Sequence, residues 1–301
     1  MENLLFNKTF EIEHCLLMYA DSFIQFPAES IYDKKTKADM PPVVKDCHIY
    51  LIGLIPTVDF IGEEKSTHKL TMKFDIFGQN IELDWPNPGG SDLHFDANKF
   101  SPSDGNERHF YPSKKMIIEK LRDESGMITF DVQYIGQAYG SDGSRNAMNR
   151  LLKHETLQKI AVQGIPHGYD LQILMLAIHE SNTVMTKINP FAENTDVGEV
   201  RFEAGQDKLF GTSKQERVSL YEAALIRYFM PKFNHEFKHS FPSTNLKVLR
   251  DCYDKDFSAI AAEINFDRLP YYLCSDTVKA ALTHRAFFDL HDDEKRKVFF
   301  T

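Results

Sequence analysis

Residues 127–137, MITFDVQYIGQ, decide how this chain is read. β-Branched and aromatic residues run without a proline up to Gly136, which predicts a strand ending in Tyr134-Ile135-Gly136. Just before it, SKKMIIEKLRDE predicts a helix capped by Ser113 and stopped near Gly126. Just after it, the Gly-rich turn QAYGSDGS leads into GSRNAMNRLLKHETLQKIA, an amphipathic helix with Leu151, Leu152, Leu157 and Ile160 among its apolar residues. DLQILMLAI then reads as a buried strand. TSKQERVSLYEAALIRYFM reads as a second helix, with Thr212 or Ser213 as N-cap and Pro231 just beyond its end. RFEAGQDKLFG, between them, stays undecided. FSAIAAEINF and YYLC predict late strands, and SDTVKAALTHRAFF a late helix. Helices alternating with strands in this way predict an α/β (α+β) fold, a small mixed sheet flanked by helices.

Upstream the pattern changes. CLLMYADSFIQF, HIYLIGLI, HKLTMKFDIFG and NIELDW are short β-branched and aromatic runs, the last two joined by a turn at Gly78-Gln79-Asn80. The segment Trp85–Arg108 is rich in Pro, Gly, Asn, Asp and Ser, and reads as a linker. Two units are therefore expected: a β-rich domain over residues 1–100 and an α/β domain over 106–301 with a C-terminal extension.

The formal net charge of −9 is unevenly spread, because residues 1–105 alone carry a balance of −8. Residues 106–160 hold nine bases against seven acids, so this stretch is slightly basic. That is compatible with a nucleic-acid substrate for the second unit but does not argue for one. The acidic first unit should not track a phosphate backbone; a partner protein, a second copy of the chain or a small ligand suits it better. No apolar run is long enough for a membrane-spanning helix. The acidic start, MENLLFNKTFEIEHC, has no secretory pattern, and the four cysteines are far apart, so a reduced cytoplasmic setting is expected.

Several residues carry spacing that suits phosphodiester chemistry. Arg150 and His154, four apart on a helix, project from one face. Glu222 lies mid-helix, and Asn234 follows twelve residues later. A Glu can hold a hard divalent cation through oxygen, an Arg can stabilise charge building on a phosphate, and Tyr and His can orient or deprotonate water. Taken singly, each has a plainer reading: YIG as strand and turn, Arg150 and His154 as solvated helix charges, Glu222 as a helix former, Asn234 as a turn residue. Their order is what counts.

That order resembles the GIY-YIG endonuclease superfamily over residues 109–234. Tyr134-Ile135-Gly136-Gln137 is similar to the family's second strand, and EAALIRYFMPKFN to its E-x-x-LI-x-x-x-x-P-x-x-N ending. The name-giving GIY tripeptide is missing just before YIG, where Phe130 stands. Tyr111, in His109-Phe110-Tyr111, is the expected first tyrosine, which requires a helical insertion between the first two family strands. The resemblance implies a hydrolase that cuts nucleic acid, DNA in preference to RNA, with Mg²⁺ or Mn²⁺, in a setting such as restriction or host defence. It implies that Glu222 holds the metal, that Arg150 stabilises phosphate charge, that Tyr111, Tyr134 and His154 orient or activate water, and that Asn234 supports the site. The alternative is a catalytically silent scaffold of the same fold acting through partners. Among the other features, His235 and His239 have metal-pair spacing without a third ligand, and His14-Cys15 and Cys47-His48 read as packed core. The acidic-basic run from Asp292 to Lys297 reads as an exposed helix face.

Overall fold

The structure, a computed structural model, describes residues 7–33, 40–66, 69–86, 93–96, 99–102, 112–139, 150–151, 155–163, 165–181, 183–242 and 245–299. Tyr111, His154 and the Gly-rich turn from Gly140 to Ser144 lie outside the described residues.

The fold is mixed α and β. Its main sheet has eight strands. Seven follow the spatial order β12 (Tyr272–Cys274), β8 (Thr129–Gln137), β2 (Cys47–Pro56), β9 (Tyr169–Ile178), β1 (Ile12–Pro27), β11 (Ala259–Asn265) and β13 (Thr283–Asp289). The eighth, β10 (Thr183–Ile188), pairs with the start of β1. β1 is long enough to serve both halves of the sheet. Its first part runs parallel to β11 and its second part antiparallel to β9, with an irregularity between Ala20 and Ser22. A small antiparallel sheet, β3 (Asp59–Lys65), β4 (Lys69–Ile76) and β5 (Gln79–Pro86), and a hairpin, β6 (Leu93–Asp96) with β7 (Lys99–Pro102), lie in the insertion after β2.

This arrangement corrects the expected domain boundary. β1 and β2 belong to the same sheet as β8 and β9, and β2 is hydrogen-bonded between them. The small sheet also shares its core with later elements. Leu70, Met72, Leu83 and Trp85 belong to one buried cluster with Ile117 and Leu121 of α1 (Lys114–Ser125) and Phe130 of β8. Residues 1–100 therefore do not form a self-contained β-rich domain ahead of 106–301.

Helices cover both faces of the sheet. α1 begins at Ser113, whose hydroxyl accepts from Met116 N, and ends at Gly126 in the left-handed region at φ 67°. α2 (Glu155–Gln163) buries Leu157 and Ile160 against β2 and β9. α3 (Gly198–Gly211) occupies the segment left undecided in the sequence. α4 (Lys214–Phe229) opens on a capping box between Ser213 and Glu216, and Met230 closes it at φ 50°. It buries Val218, Leu220, Tyr221, Ala223, Ala224, Leu225, Ile226 and Phe229. At about 1.5–3 kcal/mol for each large side chain, this is a strongly anchored helix. α5 (Lys247–Asp254) packs beside it.

Two further expectations are corrected. The late helix over SDTVKAALTHRAFF is instead a turn followed by β13, because His284 and Ala286 point inward while Thr283 and Arg285 point out, in register with β11. The run after Asp292 is a single 3₁₀ turn, Glu294–Arg296, and Arg296 is buried rather than displayed.

Candidate active site

The site is built on a defect in β8. Pairing with β2 runs Tyr50 to Gly136, Leu51 to Ile135 and Ile52 to Tyr134, then skips Gln133 before Gly53 meets Val132. Strict alternation would put Tyr134 on the face of Phe130 and Val132. The extra residue turns it over. Phe130, Val132 and Ile135 stay in the core under α4, whereas Tyr134 packs with Tyr50 and Ile52 on the α2 face. A bulge beside a site commonly re-aims a side chain in this way.

Tyr50 and Tyr134 meet with ring centroids 6.2 Å apart, over Gly136. A Cβ at position 136 would stand 2.5 Å from the Tyr50 hydroxyl and 2.8 Å from Cε1 of Tyr134. Only glycine fits beneath the pair. The strand end is held from the other side by Asn234. Its Oδ1 accepts from Ile135 N at 2.9 Å and its Nδ2 donates to Ile135 O at 2.8 Å. One residue earlier, Phe233 N donates to the carbonyl of the bulged Gln133 at 3.0 Å. The chain after Pro231 is thus bound to the bulged strand at two successive residues.

Glu222 reaches the end of the same strand from α4. Burial pushes its carboxyl up to about 8; Arg150 and the backbone N–H and side-chain amide of Gln137 oppose this, and the nearby charge of Glu236 adds to it. Burial also raises Tyr134, with Glu222 reinforcing the shift and Arg150 and the Tyr50 hydroxyl opposing it. The Tyr50 hydroxyl is raised too, chiefly by burial and next by Tyr134, with the nearby Arg150 opposing the shift. Four side chains from four segments therefore share one electrostatic neighbourhood: two neutral phenols, one guanidinium and one carboxylate that is costly to ionise.

Of the residues expected from the sequence, the structure brings Tyr134, Arg150 and Glu222 together and sets Asn234 behind the strand as a brace. Tyr111 and His154 lie outside the described residues. Tyr50, which sequence reasoning missed, packs beside Tyr134. A signal existed: His48-Ile49-Tyr50 keeps two of the three residues of GIY, on a strand antiparallel to YIG. Between β2 and β8 lie β3–β7 and α1. Glu236 was also missed. No known family model, curated protein or solved structure matches the chain.

The cysteines are not part of any such site. Burial pushes the thiols of Cys15 and Cys47 up to about 12 and those of Cys252 and Cys274 up to about 11, so they are protonated and unreactive. Among the described residues no group of three or more His, Cys, Asp or Glu side chains is placed to hold a metal, which leaves His235 and His239 as an exposed pair. A site for Mg²⁺ needs less than that. This ion is commonly held by one or two carboxylates, with water and substrate phosphate completing its shell. Glu222 fits the requirement: it is an oxygen donor whose burial leaves negative charge under-compensated.

Proposed function

We propose that this protein is a metal-dependent endonuclease that hydrolyses phosphodiester bonds of nucleic acid, DNA in preference to RNA. The observation that carries the reading is the gathering of Tyr50, Tyr134 and Arg150 around Glu222 at the bulged end of β8. The likeness of YIG and of the Glu-to-Asn segment to GIY-YIG nucleases supports the same reading.

Glu222 is the residue that would hold Mg²⁺ or Mn²⁺, and the ion would supply Lewis-acid stabilisation of the leaving oxygen. Arg150 donates to the non-bridging phosphate oxygens, where negative charge accumulates during displacement. Tyr50 and Tyr134 are neutral at physiological pH, so they orient the attacking water by hydrogen bonding. Their convergence lets one hydroxyl accept a hydrogen bond from that water while the other donates one to it, holding the water in place as its proton passes to a phosphate oxygen. Asn234 keeps Ile135, and with it the Tyr134 backbone, fixed during the reaction.

The test is cleavage of plasmid DNA and of RNA by the purified chain, with and without Mn²⁺, beside Glu222→Gln. Mn²⁺-dependent cutting by the wild type and none by the variant is expected. No cutting under any condition would favour the silent-scaffold alternative, for which the net charge of −9 speaks. Equal cutting by both proteins would remove Glu222 from the site.

A further inference from the structure

A cleft of about 140 Å³ opens beside the bulge, lined among others by Leu54, Gln133, Ile160, Gln163, Lys232 and Phe233. Its lining includes Gln133, the bulged residue on which the site described above is built. Phe233 and Tyr134 pack against the same buried cluster, and the Phe233 N–H binds the carbonyl of Gln133, the residue before Tyr134. Two lysines stand over the half-buried Phe233 ring. Lys232 Nζ is 5.5 Å and Lys159 Nζ 6.0 Å from its centroid. They come from different elements, Lys159 from the exposed side of α2 and Lys232 from the turn after α4.

A second cation over an aromatic ring shows what is different here. Lys120 lies 4.6 Å from the centre of Trp85, and its charge is engaged by Glu124 at 3.5 Å and by the carbonyl of Asp84. Lys159 and Lys232 make no ion pair among the described residues. Their charges face outward beside an aromatic ring, with the amides of Gln133 and Gln163 at the rim. The Gln133 amide is already oriented, donating to Asp131 Oδ2 at 2.7 Å. An aromatic platform flanked by cations is what single-stranded nucleic acid requires, because bases stack on the ring and backbone phosphates meet the ammonium groups. A paired base inside a duplex cannot reach a platform of this kind.

We infer that the Phe233 cleft is a nucleotide subsite that takes one unpaired base of the substrate strand against Phe233, with Lys159 and Lys232 on the adjoining phosphates. This rests on the nuclease reading and deepens it. The substrate class becomes nucleic acid with a single-stranded or flipped nucleotide next to the scissile bond. Lys159 and Lys232 are exposed, so their replacement leaves the core intact.

The experiment measures binding of labelled single-stranded and duplex DNA 12-mers to the full chain in metal-free buffer, across a salt series. The proteins compared are wild type, Lys159→Glu/Lys232→Glu, the conservative Lys159→Arg/Lys232→Arg, and Phe233→Leu with its thermal melt recorded. The double charge reversal is expected to weaken single-strand binding tenfold or more and to flatten the slope of log K against log salt by about 1.4. The arginine pair should bind as wild type does. Phe233→Leu should weaken single-strand binding on the order of tenfold and leave duplex binding nearly unchanged. Equal affinity and slope in wild type and charge reversal, or no detectable single-strand binding by wild type at low salt, would overturn the subsite. Cleavage assays separate the two claims. A wild type that cuts with the same KM as the charge reversal keeps the nuclease and discards the subsite. A wild type that never cuts, yet loses strand binding in the variants, keeps the subsite and discards catalysis.

Discussion

Two places in this molecule gather charged side chains, and they treat charge in opposite ways. At the start of β1, Glu13 accepts from Arg201 Nη2 at 2.7 Å and from Arg296 Nε at 2.6 Å. Asp256 accepts from the same two arginines, and the Phe10 ring lies 4.1 and 4.7 Å from their guanidinium carbons. Two cations meet two anions, and each guanidinium also donates to a backbone carbonyl. Burial alone would raise Asp256, but hydrogen bonds from Arg201 and Arg296 outweigh it and hold the carboxyl below its ordinary range. At the end of β8 the balance fails. Among the described residues Glu222 faces one arginine, a second carboxylate lies nearby, and burial wins. A matched cluster ties four distant segments of the chain together. An unmatched one leaves a charge to be completed by something from outside, which is the usual mark of a working site.

The largest effect should come from removing the unmatched charge. Glu222→Gln is expected to lower cleavage on the order of 10³-fold, since several kcal/mol of electrostatic stabilisation is lost. Thermal stability should not fall with it. A carboxyl with a folded value near 8, above its unfolded value of about 4.3, is increasingly costly to the fold as pH rises from about 4.5 through 8. Glutamine carries no such cost, so the variant's melting temperature should exceed that of wild type most clearly at pH 9. A variant that melts well below wild type at pH 9 would break the contrast between the two clusters.

Breaking the matched cluster should do the reverse. Arg296→Ala leaves Glu13 buried without one of its two cations and should cost about 3–5 kcal/mol in urea unfolding, while kcat per folded molecule stays unchanged. Tyr50→Phe comes next. It should cost about 10² in kcat for a water-positioning hydroxyl, with little change in stability. An unchanged kcat would remove Tyr50 from the site. Asn234→Ala should have the smallest effect, about 1–3 kcal/mol of stability from two lost hydrogen bonds to Ile135, with a KM close to wild type.

Much of the architecture around the site was legible because it is written locally. Ser113 and Gly126 mark the ends of α1, and Ser213, Glu216 and Pro231 mark those of α4. The strand ending in Tyr134 could be read from its own residues. What could not be read was its partner. β2 lies far upstream behind an insertion of five strands and a helix, and pairing across that distance leaves no local trace. That is why the expected boundary near residue 100 cut through one sheet, and why Tyr50 was passed over. α3 was undecided for another reason. It turns Arg201, Gly205 and Lys208 inward, so the face it buries is not the apolar stripe that periodicity detects. The late helix was misjudged because Ala280, Ala281 and Ala286 raise helix propensity, while pairing with β11 decides the outcome.

Whether Glu222 takes up a cation is read directly from Mn²⁺ binding, followed by the EPR signal of the free ion. Binding must displace a proton whenever the pH lies below about 8. Wild-type affinity for Mn²⁺ should rise by about tenfold per pH unit between pH 6 and pH 8, then level off. Glu222→Gln should show no binding in the same range. Equal, pH-independent Mn²⁺ affinity in the two proteins would contradict the assignment of Glu222 as the metal ligand, and with it the proposed chemistry of the site.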